Sequence, residues 1–344
     1  MLILLKPFHD KRKSFTVKEM EKITGMLVFI AASAPWLKFI LAQVYASLAA
    51  AIGANTDHLT RTSKRFQRMV AVATATHSPP RNRTFAQAET ARRTHSCPNG
   101  HWINATLREE LSLIVRALRS KRKKFRTPIA HLVRRDPSSR AWSDSSLRAA
   151  GGYSTDMNFW WYLAWPAKVT NYTLVYIKSN KDGKLISINV LEYAALLINY
   201  AGACHYYQEN PDVTDPYPQV QFFVDNTSSE AWGEKGCTGS LIGRALSRLQ
   251  CAMMIDNSVS AKTAHITTTA NIIADRISRI VNKANVPRDF SLIKQDYPEL
   301  SGCSRFHPSA ELISHIMDAV SQKKSIDPLE VNLSILKNLG SITS

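Results

Sequence analysis

The sequence predicts an α/β fold: a mixed five-stranded sheet flanked by helices and preceded by a basic helical region. Three observations carry that expectation. From about residue 140 the chain reads as three meandering strands followed by alternating helical and strand segments, the pattern of a mixed sheet with helices packed on it. Positive charge is concentrated ahead of that segment. Residues 1–140 hold 26 of the 44 Lys and Arg and 8 of the 27 Asp and Glu, a net of +18, whereas the remaining 204 residues hold 18 and 19, a net of −1. Finally, 344 residues with 44% hydrophobic content suffice for one or two domains with a buried core.

Residues 14–53 are expected to be helical, with Ser14 and Thr16 ahead of Lys18-Glu19-Met20-Glu21 as a capped start. The apolar stretch 26–53 is nominally long enough to span a bilayer, but Pro35 breaks it and Lys38 charges its middle. It reads instead as two packed helices, the second with Leu37, Ile40, Leu41, Val44 and Leu48 at helical spacing, so no membrane association is expected. No secretory signal is evident. Residues 54–139 form a basic linker, punctuated by Pro79-Pro80, with a helix over 103–119 that runs into Lys121, Arg122, Lys123, Lys124, Phe125 and Arg126. That run is either a solvated helix end favoured by the dipole or a phosphate-binding or nuclear-import segment.

Strands are expected at 140–145, at 151–165 after Gly151-Gly152, and at 171–178, with Lys181-Asp182-Gly183 as a turn. A helix over 190–201 places Leu191, Ala194, Ala195 and Ile198 on one face and ends at Gly202. The continuous apolar run 219–224 reads as a strand buried on both faces. Helices near 227–234 and 239–256, a strand near 262–266 and a helix near 270–282 follow, and 283–344 is expected to be a helical tail including 309–322. The expected segments are therefore 1–53, 54–139, 140–282 and 283–344.

The charge asymmetry points to a polyanionic partner for the first half, nucleic acid above all, and leaves the neutral half to carry chemistry. Five cysteines (Cys97, Cys204, Cys237, Cys251, Cys303), widely spaced and without a C-x-x-C pair, imply free thiols in a reducing intracellular compartment, cytoplasmic or nuclear. Cys97 lies near His95 and His101, but three candidates in one loop without a second pair do not make a zinc site.

Four acids stand at the edges of expected elements: Asp144 in AWSDSSLRAAGGYS, Glu192 in SINVLEYAALL, Asp225 in VQFFVDNTSS and Asp275 in NIIADRISR. Each has an ordinary explanation. Asp144 would start a turn, Glu192 would complete a capping box with Asn189, Asp225 would cap a helix, and Asp275 would pair with Arg279 one helical turn on. Together they describe a strand, helix, strand, helix arrangement able to bring four carboxylates to one point. Carboxylates gathered that way call for divalent cations, and a pair of Mg²⁺ ions so held is a device for cutting phosphodiesters.

The segment 140–282 resembles the ribonuclease H domain of retroelement reverse transcriptases, and among these the DIRS-type retrotransposons. SDSSLRAAGGYS resembles the opening acid-bearing strand, INVLEYAALL the helix with the catalytic glutamate, and VDNTSS the third acid at the end of the fourth strand. HITTTANIIADRISR resembles the final signature, a histidine ahead of an Asn-x-x-Ala-Asp helix. The resemblance implies Asp144, Glu192, Asp225 and Asp275 as catalytic metal ligands for two Mg²⁺ ions, with Mn²⁺ able to substitute. It also implies His265 as a loop histidine associated with proton transfer or product release. Asn226 and Ser228 are candidate donors to the nucleic-acid backbone, or else parts of a helix start. The aromatic cluster Phe159, Trp160, Trp161, Tyr162 and Trp165 is expected to be strand packing rather than a base-stacking surface.

Residues 14–50 resemble the connection region that follows the polymerase palm in such proteins. The family's polymerase needs two adjacent aspartates, and this sequence contains no Asp-Asp. The expectation is thus a piece or degraded copy of a longer polyprotein, with a separate polymerase domain as an implied partner. The activity implied is hydrolysis of the RNA strand of an RNA–DNA hybrid. The alternative is a non-catalytic nucleic-acid-binding relic in which the basic half still grips phosphates.

Overall fold

A computed structural model of the chain describes residues 14–50, 96–97, 100–119, 127–133, 135–171, 173, 186–211, 215–236, 240–257, 259–280, 290–321 and 338–343. It divides into two compact units, Met1–Ala32 with Leu41–Lys121, and Ser33–Ile40 with Arg122–Ser344.

In the first unit a helix spans Val17–Ser33 and buries Met20, Ile23, Leu27 and Ala31. Its start is the expected capping box: the Glu19 carboxylate accepts the Thr16 N–H at 2.8 Å, and Thr16 Oγ1 accepts the Glu19 N–H at 3.3 Å. A second helix covers 42–50. Its first orphan N–H groups, those of Gln43 and Val44, donate to the buried Glu110 Oε1 at 2.7 and 3.1 Å. Glu110 belongs to the helix Ala105–Arg119, capped by Asn104, whose Oδ1 accepts the Leu107 N–H. Ser14–Phe15, Gly100–Trp102 and Ser96–Cys97 form a small antiparallel sheet. No helix among the described residues is long and apolar enough to cross a membrane.

The second unit is built on a mixed sheet of seven strands rather than five. The strands are β1 (Ser139–Ser145), β2 (Ala149–Ser154), β3 (Phe159–Ala164), β4 (Gln219–Val224), β5 (Ser260–His265), β6 (Ser304–Pro308) and β7 (Gly340–Thr343). Their order is β7-β6-β3-β2-β1-β4-β5. β1, β2 and β3 meander antiparallel, β4 and β5 add parallel to β1, and β6 adds parallel to β3. The helices are α1 (Ile188–Glu209), α2 (Thr227–Lys235), α3 (Leu241–Asp256), α4 (Ile272–Ser278), α5 (Phe290–Asp296) and α6 (Ala310–Val320).

Period-two alternation sorts the sheet into two covered faces. Ala141, Ala150, Phe159, Trp161 and Phe222 face the main core, which α1, α3 and α6 complete. Tyr153 and Trp160 face the other way, packing with Ile273, Ala274 and Ile277 of α4. α1 is buried nearly all round, and three of its polar side chains find partners: Tyr193 Oη donates to Gln250 Oε1 at 2.6 Å, Tyr200 Oη to the Val259 carbonyl at 2.7 Å, and Asn199 Oδ1 accepts Trp161 Nε1 at 3.0 Å.

Several boundaries differ from the sequence expectation. The single strand expected over 151–165 is the hairpin β2–β3, turned at 155–158, where Ser154 Oγ accepts the Met157 N–H and Asn158 adopts a positive φ of 51°. Gly151 and Gly152 lie inside β2, not ahead of it, because other groups approach both faces closely there. A Cβ on Gly152 would sit 2.7 Å from the Trp142 carbonyl, and one on Gly151 would collide with Ile277. The strand expected at 171–178 falls largely outside the described residues, and 167–171 is helical. Gly202 does not end α1, which continues to Glu209; it makes room for Phe159 and Phe306. The segment 283–344, expected to be a helical tail, supplies α5 and α6 but also β6 and β7, the two additional strands. Both are short and largely polar, with Phe306 the fully buried anchor of β6.

Candidate metal centre

The parallel register of β1 and β4 pairs Trp142 with Phe223, so Asp144 and Asp225 stand level two residues further on, where both strands end. The carboxyl ends of neighbouring parallel strands are where an open α/β sheet leaves a crevice. α1 enters beside them and brings Glu192 in its second turn. One carboxylate oxygen from each of Asp144, Glu192 and Asp225 lies within 4.8 Å of the other two.

The ordinary explanations for three of the four acids do not describe them. Asp144 lies within β1 and is buried, not in a turn. Glu192 makes no capping box, since the residue preceding α1 is Ser187; its carboxylate instead accepts the Ser145 backbone N–H at the end of β1. Asp225 does not cap α2, because the Asn226 side chain does, accepting the N–H groups of Ser228 and Ser229, each at 3.0 Å. Asp275 does behave in the ordinary way: Arg279 Nη2 and Nε reach its Oδ1 at 2.6 and 2.7 Å. The structure therefore brings three carboxylates together and holds the fourth beside them in an ion pair.

Burial and mutual repulsion perturb the cluster. Desolvation, with the charges of Asp225 and Asp275 adding to it, raises the Asp144 pKa to about 6. A hydrogen bond from Ser278 Oγ, 2.5 Å from Asp144 Oδ2, opposes that rise. Glu192 is pushed well above the usual carboxylate range by burial and then by Asp144 and Asp225. Among the described residues its Oε2, although buried, meets no hydrogen-bond donor. A buried carboxylate oxygen left without a donor lacks a cation or a proton. An all-oxygen donor set of this kind suits a hard divalent cation such as Mg²⁺.

Supporting residues hold the frame. The buried Asn271 donates through Nδ2 to the Ser143 carbonyl at 3.0 Å, fastening the start of α4 to β1. Asn226 donates to Asn189 Oδ1 at 2.9 Å, and Asn189 donates to Ser228 Oγ at 3.2 Å, so Asn226 and Ser228 form a helix-start network beside the cluster. His265 ends β5 exposed, with Nε2 3.2 Å from the Asp225 carbonyl oxygen. Lys121, Arg122, Lys123, Lys124 and Arg126 lie outside the described residues. Phe159, Trp160, Trp161 and Trp165 are buried packing residues and Tyr162 is half-buried. Sequence reasoning misses Ser278 and Ser145 as supports of the carboxylates. Ser278 stands three residues after Asp275 on a helix, and that spacing is the one signal that could have found it.

No protein-family model, curated protein or solved structure matches the chain.

Proposed function

We propose that the chain is a metal-dependent endonuclease of the ribonuclease H type, derived from a retroelement, that hydrolyses the RNA strand of RNA–DNA hybrids. The observation that carries this reading is the convergence of Asp144, Glu192 and Asp225, with a buried Glu192 oxygen that no protein group satisfies among the described residues. Further support is the order of the parts: an acid on the first strand, one on the first long helix, one after the fourth strand, and one on a helix behind a strand-end histidine. That is the order the resemblance implies for Asp144, Glu192, Asp225, Asp275 and His265.

In this reading Asp144, Glu192 and Asp225, with Asp275 beside them, would hold the Mg²⁺ ions. Bound divalent ions would lower the pKa of the attacking water and offset charge on the leaving 3′ oxygen. The chain's own work is orientation: Ser278 holds Asp144, the Ser145 N–H holds Glu192, and Asn226 starts α2 so that the Asp225 carboxylate is not consumed as a cap. The 2′-hydroxyl is the group that physically distinguishes RNA from DNA at such a site.

The second reading, a non-catalytic nucleic-acid-binding relic, draws on the net +18 of residues 1–140 and on the ion pair that engages Asp275. One experiment separates the two. A labelled RNA–DNA hybrid is incubated with the purified chain in Mg²⁺ or EDTA, beside Asp225→Asn. Mg²⁺-dependent cutting of the RNA strand, lost in the variant while hybrid binding persists, is the expected result. Full cleavage by Asp225→Asn would overturn the site, and binding without any cleavage would favour the relic.

A further inference from the structure

We infer that Arg279 is a resident counter-cation that holds the place of a second divalent ion, so that the centre takes one ion readily and a second only when the guanidinium leaves Asp275. This rests on the metal-dependent reading above and concerns how its site is regulated. The geometry is asymmetric. Three carboxylates converge within 4.8 Å, and the fourth is excluded from that group. Asp275 Oδ1 receives both Nε and Nη2 of Arg279, one turn further along and just past the end of α4. The same guanidinium bears on the cluster itself, since its charge favours ionisation of both Asp144 and Glu192. The buried Glu192 Oε2 has no donor among the described residues and lacks a cation or a proton, and Arg279 does not fill that position.

The two ends of the centre therefore differ in kind. The Asp144–Glu192–Asp225 end is buried or half-buried and keeps an oxygen without a partner among the described residues. The Asp275 end is closed by a cation whose side chain is 62% exposed. An exposed i,i+4 ion pair is weak, so the guanidinium is displaceable rather than locked. A unit charge roughly 5 Å from a divalent ion in a water-accessible setting weakens that ion's binding by on the order of tenfold. The consequence is a centre that fills in sequence, with the second site set above the first by the presence of Arg279.

The test uses the full chain and Mn²⁺ as the probe, with free Mn²⁺ counted by electron paramagnetic resonance. The unaltered chain should bind one ion and then a second about tenfold or more weaker. Arg279→Gln should strengthen the second ion by about tenfold. Arg279→Lys, which keeps the charge, should stay near the original value. Adding Asp275→Asn to Arg279→Gln should remove the gain, which ties the effect to that carboxylate. An unchanged second affinity in Arg279→Gln would overturn the inference while leaving the first site standing, and so would a gain that survives Asp275→Asn. A chain folded by circular dichroism that binds no Mn²⁺ at all would overturn the metal-dependent reading itself.

Discussion

Replacing Asp144 by Asn should make the metal-free protein more stable at neutral pH. Asp144 is held in the folded state with a pKa of about 6 against an ordinary value of 3.8, chiefly because burial penalises the charge. The folded chain therefore binds this proton more tightly than the unfolded chain does. The stability tied to it is complete below about pH 4 and is lost as the pH climbs towards 6. At about 1.4 kcal/mol per unit, the charged form costs about 3 kcal/mol at pH 7.5. Asn removes that cost and keeps an oxygen for Ser278. The loss of close carboxylate hydrogen bonding offsets part of the gain, leaving about 1–3 kcal/mol net. For a unit of this size that is on the order of 5 °C in Tm. The assay is thermal unfolding of both proteins in EDTA at about pH 7.5 and about pH 4.5. A gain at the higher pH that shrinks to under about 1 kcal/mol at the lower is expected. A variant less stable than the parent at the higher pH, or a gain of equal size at both, would refute the reasoning.

The same geometry sets two further outcomes. Ser278→Ala removes the hydroxyl that donates to Asp144 and should lower stability by about 1–2 kcal/mol, more at about pH 7.5 than at about pH 4.5, because the bond favours the ionised carboxylate. Urea denaturation in EDTA reads this, and Ser278→Thr should recover most of the loss. Gly151→Ala places a methyl against Ile277 and should cost about 1–3 kcal/mol by forcing α4 away from β2. The same melt compared with Gly302→Ala, where a Cβ meets nothing nearer than 4.0 Å, separates a packing clash from a general glycine effect.

The sheet was legible in sequence where burial made the pattern strong. The strand at 219–224 has the expected bounds, and helices α2, α3 and α6 lie within two residues of expectation. What escaped were features set by tertiary context. The hairpin turn at 155–158 has neither Gly nor Pro and depends on a Ser154 side-chain acceptor and a left-handed Asn158. β6 and β7 are five and four residues long, too short to signal themselves, and form only as additions to an existing edge. Gly202 looks like a helix stop in isolation, yet inside the core it is a gap for two phenylalanine rings.

For the site, the sequence pattern led to the expectation of four carboxylates at one point, whereas the structure gathers three of them and leaves Asp275 in an ion pair. The parallel register that levels Asp144 with Asp225 is a property of the sheet, and Asp275, outside that group, pairs with an arginine four residues on. The sequence likewise offered Asp225 and its neighbour as rival explanations of one helix start, and only the hydrogen bonds of Asn226 decide between them.

That decision has a consequence for what the chain can lose. Shape and charge are assigned to adjacent residues, Asn226 for the first and Asp225 for the second. The backbone of α2 begins correctly whether or not residue 225 carries a carboxylate. A variant without the acid would keep the hydrogen bonds that start α2 and would lose the charge that Asp225 places beside Asp144 and Glu192. Such a loss would leave no scar in that helix start.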